Sequence, residues 1–157
     1  MIERLEIMKV YVAYGSNLNK KQMSQRCPDA KVISTGMLNG WRLVYRGSLS
    51  GSYLSIVEDP KAKTPVVLWS ISKRDERMLD IYEGYPRFYT KEDIIVDTPD
   101  GEAWGMVYII NKKAVPGRPS WLYVETCKQG YKDNGLDLKY LNESLRYNVR
   151  ECAKEWI

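Results

Sequence analysis

Lys9-Val10-Tyr11-Val12-Ala13-Tyr14-Gly15-Ser16-Asn17-Leu18 is the stretch around which the rest of the chain is organised. Val10, Tyr11, Val12 and Tyr14 are β-branched or aromatic and suit a short, mostly buried strand near residues 8–14. Gly15-Ser16-Asn17 breaks that strand. Glycine permits positive φ and close backbone approach, and Ser and Asn hydrogen-bond neighbouring backbone groups. Asn17 or Asn19 supplies an N-cap for a helix over Lys20–Arg26. A strand, a Gly turn and a helix start aim backbone N–H groups at an anion or a polarised carbonyl. The same residues also describe an ordinary strand-to-helix turn, and one short Gly motif does not separate the two.

Outward from this stretch, residues 1–7 read as a lead-in and Pro28 ends the first helix. Ala30–Leu38 reads as a strand, Asn39-Gly40 as a hairpin turn, and Trp41–Arg46 as a returning strand with Trp41, Leu43 and Tyr45 on one face. Tyr53–Val57 and Val66–Ile71 are further strands around a polar, Pro-flanked loop over 58–65. Ser72 with Asp75 approximates a capping box for a helix over 73–82, which Gly84 terminates. Phe88–Val96 and Glu102–Ile110 flank a hairpin turn at Pro99-Asp100-Gly101. Residues 115–119 form a rigid polar crossing. Ser120 caps a helix over 121–129, closed by Gly130. Asp137 caps a last helix, about 138–155, with a core-facing stripe of Leu138, Leu141, Leu145, Val149 and Cys152. Several hairpins and a few helices imply a single α+β domain over residues 1–157, its core about 8–140, with a largely antiparallel, strongly curved sheet or barrel.

The bulk numbers exclude several classes of function. A chain of 157 residues, 44% hydrophobic and 28% charged, buries a sizeable core and is not disordered. The net charge of +4 is spread along the chain, with no basic stripe interleaved with stacking aromatics, so no nucleic-acid partner is expected. There is no apolar leader at the start and no membrane-length apolar run, which reads as a cytoplasmic protein without a membrane partner. Cys27, Cys127 and Cys152 are odd in number and far apart, as reduced thiols would be.

Histidine is absent, which removes Ser-His-Asp and Cys-His catalysis and every histidine metal site. A general base must therefore be a carboxylate, lysine, tyrosine or thiol. Glu83 stands out among the acids. It lies at a helix end between Ile81-Tyr82 and Gly84-Tyr85-Pro86, where partial burial among tyrosines would raise its pKa and make it a stronger base near neutrality. A solvated helix-end glutamate is the plainer alternative. Cys27 has no visible activating partner. Tyr123 is either a core tyrosine or a pocket-lining hydroxyl.

Three segments taken in order resemble the γ-glutamylcyclotransferase family, including its AIG2-like branch. Tyr11–Leu18 is similar to the family's substrate loop. Leu79-Asp80-Ile81-Tyr82-Glu83-Gly84-Tyr85-Pro86-Arg87-Phe88-Tyr89 resembles the region of its catalytic glutamate. Pro119-Ser120-Trp121-Leu122-Tyr123 with Gly130 and Asn134-Gly135-Leu136 resembles its C-terminal pocket helix. The resemblance implies a small mixed, largely antiparallel β-barrel with flanking helices, no cofactor, and release of 5-oxoproline from a small γ-glutamyl substrate. It assigns Glu83 as the catalytic residue and Tyr11, Val12, Ala13, Tyr14, Gly15, Ser16, Asn17 and Tyr123 to substrate binding. Gly-Tyr-Pro-Arg-Phe-Tyr after Glu83 is closer to the AIG2-like pattern than to the glutathione-pathway enzymes. The leaving amine stays open among an amino acid, a polyamine, a protein lysine and an antibiotic precursor. A relative that binds without turnover and an amidase-like hydrolase are the competing readings, and the spare aromatics permit a homodimer patch.

Overall fold

The computed structural model describes residues 8–48 and 51–154, so the expected lead-in over 1–7 lies outside the described residues. Among the described residues there are six strands: β1 (Lys9–Ala13), β2 (Lys31–Ser48), β3 (Gly51–Ile71), β4 (Tyr89–Thr98), β5 (Gly101–Ile110) and β6 (Val115–Pro116). Four helices accompany them: α1 (Lys20–Arg26), α2 (Lys73–Glu83), α3 (Trp121–Asp133) and α4 (Lys139–Lys154). The strands run in the order β3-β1-β5-β4-β2, and a further β2–β3 pairing closes the sheet into a five-stranded barrel. β1 lies parallel to β5 at Tyr11 and Met106, and the other barrel pairs are antiparallel. β6 hangs on the side of β2 through Arg46 and Gly47. Closure removes the exposed edges that an open sheet would present. Val12, Leu38, Tyr45, Ile56, Val67, Val96 and Val107 are all buried in the core. The α+β barrel with flanking helices expected from the sequence is the fold observed.

Two turn expectations near the middle of the chain are corrected. Asn39-Gly40 does not reverse the chain. β2 runs straight through it, and its partner is the distal β3, with Asn39 opposite Lys63 and Trp41 opposite Glu58. Gly40 does take a left-handed φ of 84°, so the pair supplies the conformation a bulge needs rather than a hairpin. The polar segment 58–65 is correspondingly not a loop but part of β3, with residues 59–62 bulging opposite Gly40. An Arg42–Asp59 ion pair at 2.7 Å and the Lys61 amide on Asp59 Oδ1 hold that bulge. A bulged strand rich in Pro, Lys and Asp carries the composition of a loop.

The C-terminal third differs in two further places. Gly130 lies inside α3, which continues to Asp133 with Asn134 as its C-cap. A Cβ at Gly130 would sit 2.6 Å from Leu18 Cβ and 2.7 Å from the Asn19 nitrogen, so this glycine is set by close approach of α3 to the turn after β1. On α4 the core face is rotated from the expected stripe. Leu141, Ser144 and Asn148 are buried, Leu138 and Leu145 pack partly against the core, and Val149 is 69% exposed. Polar side chains hold this face by directed bonds: Ser144 to the Tyr45 hydroxyl at 3.0 Å, and Asn148 Nδ2 to the Gly117 carbonyl at 2.9 Å.

Helix α2 ends in Glu83. Its start is fixed by the capping box expected from sequence. Ser72 Oγ accepts from the Asp75 amide at 3.1 Å, and Asp75 Oδ2 accepts from the Ser72 amide at 3.2 Å. Asp75 is fully buried, and its other oxygen also accepts from the Asp29 amide at 3.4 Å. Asp75→Ala is therefore expected to cost about 2 kcal/mol, because it strands buried amides as well as losing a cap. The fall should appear as a lower urea midpoint with an unchanged slope.

Candidate active site

β1 delivers Tyr11, Val12 and, just past its end, Tyr14 to one mouth of the barrel. The chain then turns through Gly15 into a single 3-10 turn, Ser16–Leu18, before Asn19 caps α1 by accepting from the Gln22 amide at 3.0 Å. Gly15 has a φ of −125°, so positive φ is not its reason for being there. Close approach is: a Cβ would meet Tyr123 Oη at 3.2 Å and Leu54 Cβ at 3.5 Å. α2 terminates at Gly84, whose left-handed cap turns the chain away immediately after Glu83.

These ends surround a cavity of about 280 Å³. Its walls are Tyr11, Val12, Tyr14, Gly15, Ser16 and Asn17 from the first stretch, Tyr53 and Leu54 from β3, and Ile81, Tyr82, Glu83 and Gly84 from the end of α2. Phe88 and Tyr89 at the start of β4, Tyr108 from β5 and Tyr123 from α3 complete it. Of the residues expected from sequence, Ala13 alone is not in the wall. It is buried in the core and pairs with Val67. Tyr53, Leu54, Ile81, Tyr82, Phe88, Tyr89 and Tyr108 were not singled out beforehand as site residues. Tyr82, Phe88 and Tyr89 flank Glu83 in the chain and were findable there. Ile81 lies two residues before Glu83 on the same helix, and Tyr53, Leu54 and Tyr108 arrive by barrel closure, which leaves no local signal.

Among the described residues, Glu83 is the one carboxylate in the wall. Burial pushes its pKa up to about 7, opposed by the positive charge of Arg26. Asn17 Nδ2 donates to Glu83 Oε1 at 3.4 Å and to the Tyr11 hydroxyl at 2.9 Å. Asn17 Oδ1 accepts from Arg26 Nη1 at 2.5 Å, and the Asn17 carbonyl accepts from Trp69 Nε1 at 3.1 Å. The Arg26 guanidinium lies 3.4 Å from the centre of the Tyr82 ring.

The tyrosines are held as firmly. Tyr123 Oη accepts from the Leu54 amide at 3.0 Å, Tyr89 donates to the Leu54 carbonyl at 2.9 Å, and Tyr14 donates to the Tyr108 carbonyl at 2.6 Å. Tyr108 donates to Asp80 Oδ1 at 2.7 Å, and Asp80 is itself paired with Lys91 at 2.6 Å. Burial raises the pKa of Tyr11, Tyr14, Tyr89, Tyr108 and Tyr123, so all five remain neutral hydroxyls. Tyr11 accepts one bond from the Asn17 amide and keeps a hydrogen to donate.

Cys27 is buried and pushed up to about 12 by that burial, far from a thiolate nucleophile. Among the described residues no cluster of three or more Cys, Asp or Glu side chains could hold a metal ion. No helix among them is long and apolar enough to cross a membrane.

A five-stranded mixed barrel with a carboxylate, a Gly turn and a helix tyrosine converging on one aromatic cavity is the arrangement of a small-molecule site. The family described as gamma-glutamyl cyclotransferase, AIG2-like, matches residues 11–127. The γ-glutamylcyclotransferase of Bos taurus is 30% identical over 141 residues, covering 83% of this chain and 74% of that one. Its Homo sapiens counterpart is 29% identical with the same coverage. A solved structure of a gamma-glutamyl cyclotransferase superposes with a TM-score of 0.77 at 26% identity, over 87% of this chain and 86% of that one. The chain belongs to the γ-glutamyl cyclotransferase, AIG2-like family.

Proposed function

We propose that this protein converts a γ-glutamyl amide into 5-oxoproline and a free amine. The observation that carries the reading is the meeting of Glu83, poised near neutrality, with the Gly15 turn and Tyr123 in one cavity. A volume of about 280 Å³ is at the small end of ligand sites and suits a glutamyl group with its leaving amine at the mouth.

The chemistry needs little else. The ionised Glu83 carboxylate takes a proton from the substrate's α-ammonium. The freed amine attacks its own γ-carbonyl carbon, forming the ring C–N bond and a tetrahedral oxyanion. Collapse of that oxyanion breaks the original amide bond, and Glu83 returns its proton to the departing amine. No water is consumed. Holding amine and carbonyl together makes the attack intramolecular, where proximity alone supplies several kcal/mol. The oxyanion is met by backbone amides. Ser16 and Asn17 open the 3-10 turn, and the first amides of a helical turn have no acceptor within it. Each well-placed donor contributes about 3 kcal/mol to such a transition state. The hydroxyls of Tyr11 and Tyr123 orient the glutamyl group.

Activity should follow the ionised form of Glu83. With a panel of γ-glutamyl amides, kcat should be low at pH 5, rise through an apparent value near 7 and level off above pH 8. A rate independent of pH across that range would remove Glu83 as the base.

A further inference from the structure

Arg26 lies outside the cavity wall, yet it organises two groups inside it. Guanidinium has donors and no acceptor, so the side-chain atom of Asn17 that meets it at 2.5 Å must be the oxygen. The NH2 end of Asn17 then necessarily faces the other way, toward the Tyr11 hydroxyl at 2.9 Å and Glu83 Oε1 at 3.4 Å. Both of its hydrogens are used there. A flipped amide would place an oxygen against a carboxylate and leave a cation without its acceptor. Arg26 is itself fixed: it closes α1 and sits over the Tyr82 ring, 3.4 Å from its centre.

We propose that Arg26 is a positioning residue of this site, locking the Asn17 amide so that it donates to Glu83 and Tyr11 and keeping Glu83 in its basic form. The inference rests on reading Glu83 as the base. Two effects act in the same direction. Hydrogen bonding to a carboxylate favours its ionised form, and so does a nearby cation. The other groups around Glu83 add no competing charge near neutrality. Tyr11 and Tyr14 of the first stretch, Tyr89 of β4, Tyr108 of β5 and Tyr123 of α3 are neutral phenols held there by burial, and Tyr82 on Glu83's own helix carries the stacked guanidinium. Asp80 and Lys91 are paired with each other behind Tyr108.

The test reads the carboxyl directly. Protein labelled with carbon-13 at the glutamate side-chain carboxyl is titrated by NMR, with Glu83→Gln assigning the resonance. Arg26→Met should raise the Glu83 midpoint by about one pH unit or more, Arg26→Gln should raise it too, and Arg26→Lys should hold it closer to the parent. The two uncharged variants guard against one of them failing to fold. In the rate profile the same variants should move the acid limb to higher pH, with lost kcat partly regained at pH 9. An unchanged Glu83 midpoint in both Arg26→Met and Arg26→Gln overturns the proposal. Failure of the parent protein to release 5-oxoproline would instead overturn the reading of the function, and the titration would still decide the role of Arg26.

Discussion

Glu83→Gln should abolish release of 5-oxoproline while leaving the barrel intact. The substitution keeps the shape and the acceptor oxygen for Asn17 but removes the one carboxylate that the described residues place in the cavity wall. Loss of a positioned general base costs about 10²–10⁴-fold. A second signature separates this effect from damage to the fold. The folded pKa of about 7 lies above the ordinary 4.5 of a glutamate, so the folded state holds this proton more tightly than the unfolded chain. The stabilisation from that proton is therefore fully present below about pH 4.5 and is lost as pH rises through 7. A glutamine cannot lose it. Relative to the parent, Glu83→Gln should gain stability between pH 5 and pH 8, on the order of 2 kcal/mol, read from denaturant midpoints at the two values. An inactive variant that is also more stable at pH 8 is hard to explain except by removal of a buried ionised base.

Gly130→Ala should lower stability and activity together. Gly130 is where α3 touches the turn after β1, and the new Cβ would fall 2.6–2.7 Å from Leu18 and from the Asn19 backbone. Neither neighbour is the free end of a flexible side chain. Leu18 is fully buried, and Asn19 is committed to capping α1 and to the Thr126 carbonyl. The two elements must separate, at a cost of about 2–3 kcal/mol of overpacking strain. The same displacement moves Tyr123 on α3 away from Gly15, Ser16 and Asn17. Activity should fall with stability, by on the order of 10²-fold in kcat/KM for a shift of about 1 Å. Denaturant unfolding and steady-state kinetics on the same preparation check both. Unchanged activity in a destabilised variant would show that α3 does not help set the substrate turn.

The elements that carry local signals were readable from the chain. β1 and the turn after it, the Ser72–Asp75 capping box, the Gly84 terminator and the hairpin at residues 99–101 all use side chains that bond or restrict their own neighbourhood. Where the expectations failed, a distant partner had decided the outcome. Asn39-Gly40 was satisfied by a bulge because β3 was there to pair with, and Gly130 was required by a turn more than a hundred residues earlier in the chain. The rotated face of α4 follows from the Tyr45 hydroxyl and the Gly117 carbonyl, which reward buried Ser144 and Asn148 over an exposed Val149. The site divides along the same line. Glu83, the Gly15 turn and Tyr123 stood out in the sequence. Arg26 gave no sign, because its importance lies in which end of Asn17 it holds.

The central claim is that the substrate's own amine, and not water, displaces the leaving amine. Incubating the protein with γ-glutamyl amides in water enriched in oxygen-18, and weighing the products by mass spectrometry, tests it directly. Attack by the amine gives 5-oxoproline with no label and an equal amount of free amine, both absent with Glu83→Gln. Glutamate carrying one oxygen-18 would mean hydrolysis, and binding without either product would mean that the site only recognises its ligand; both results would contradict the account.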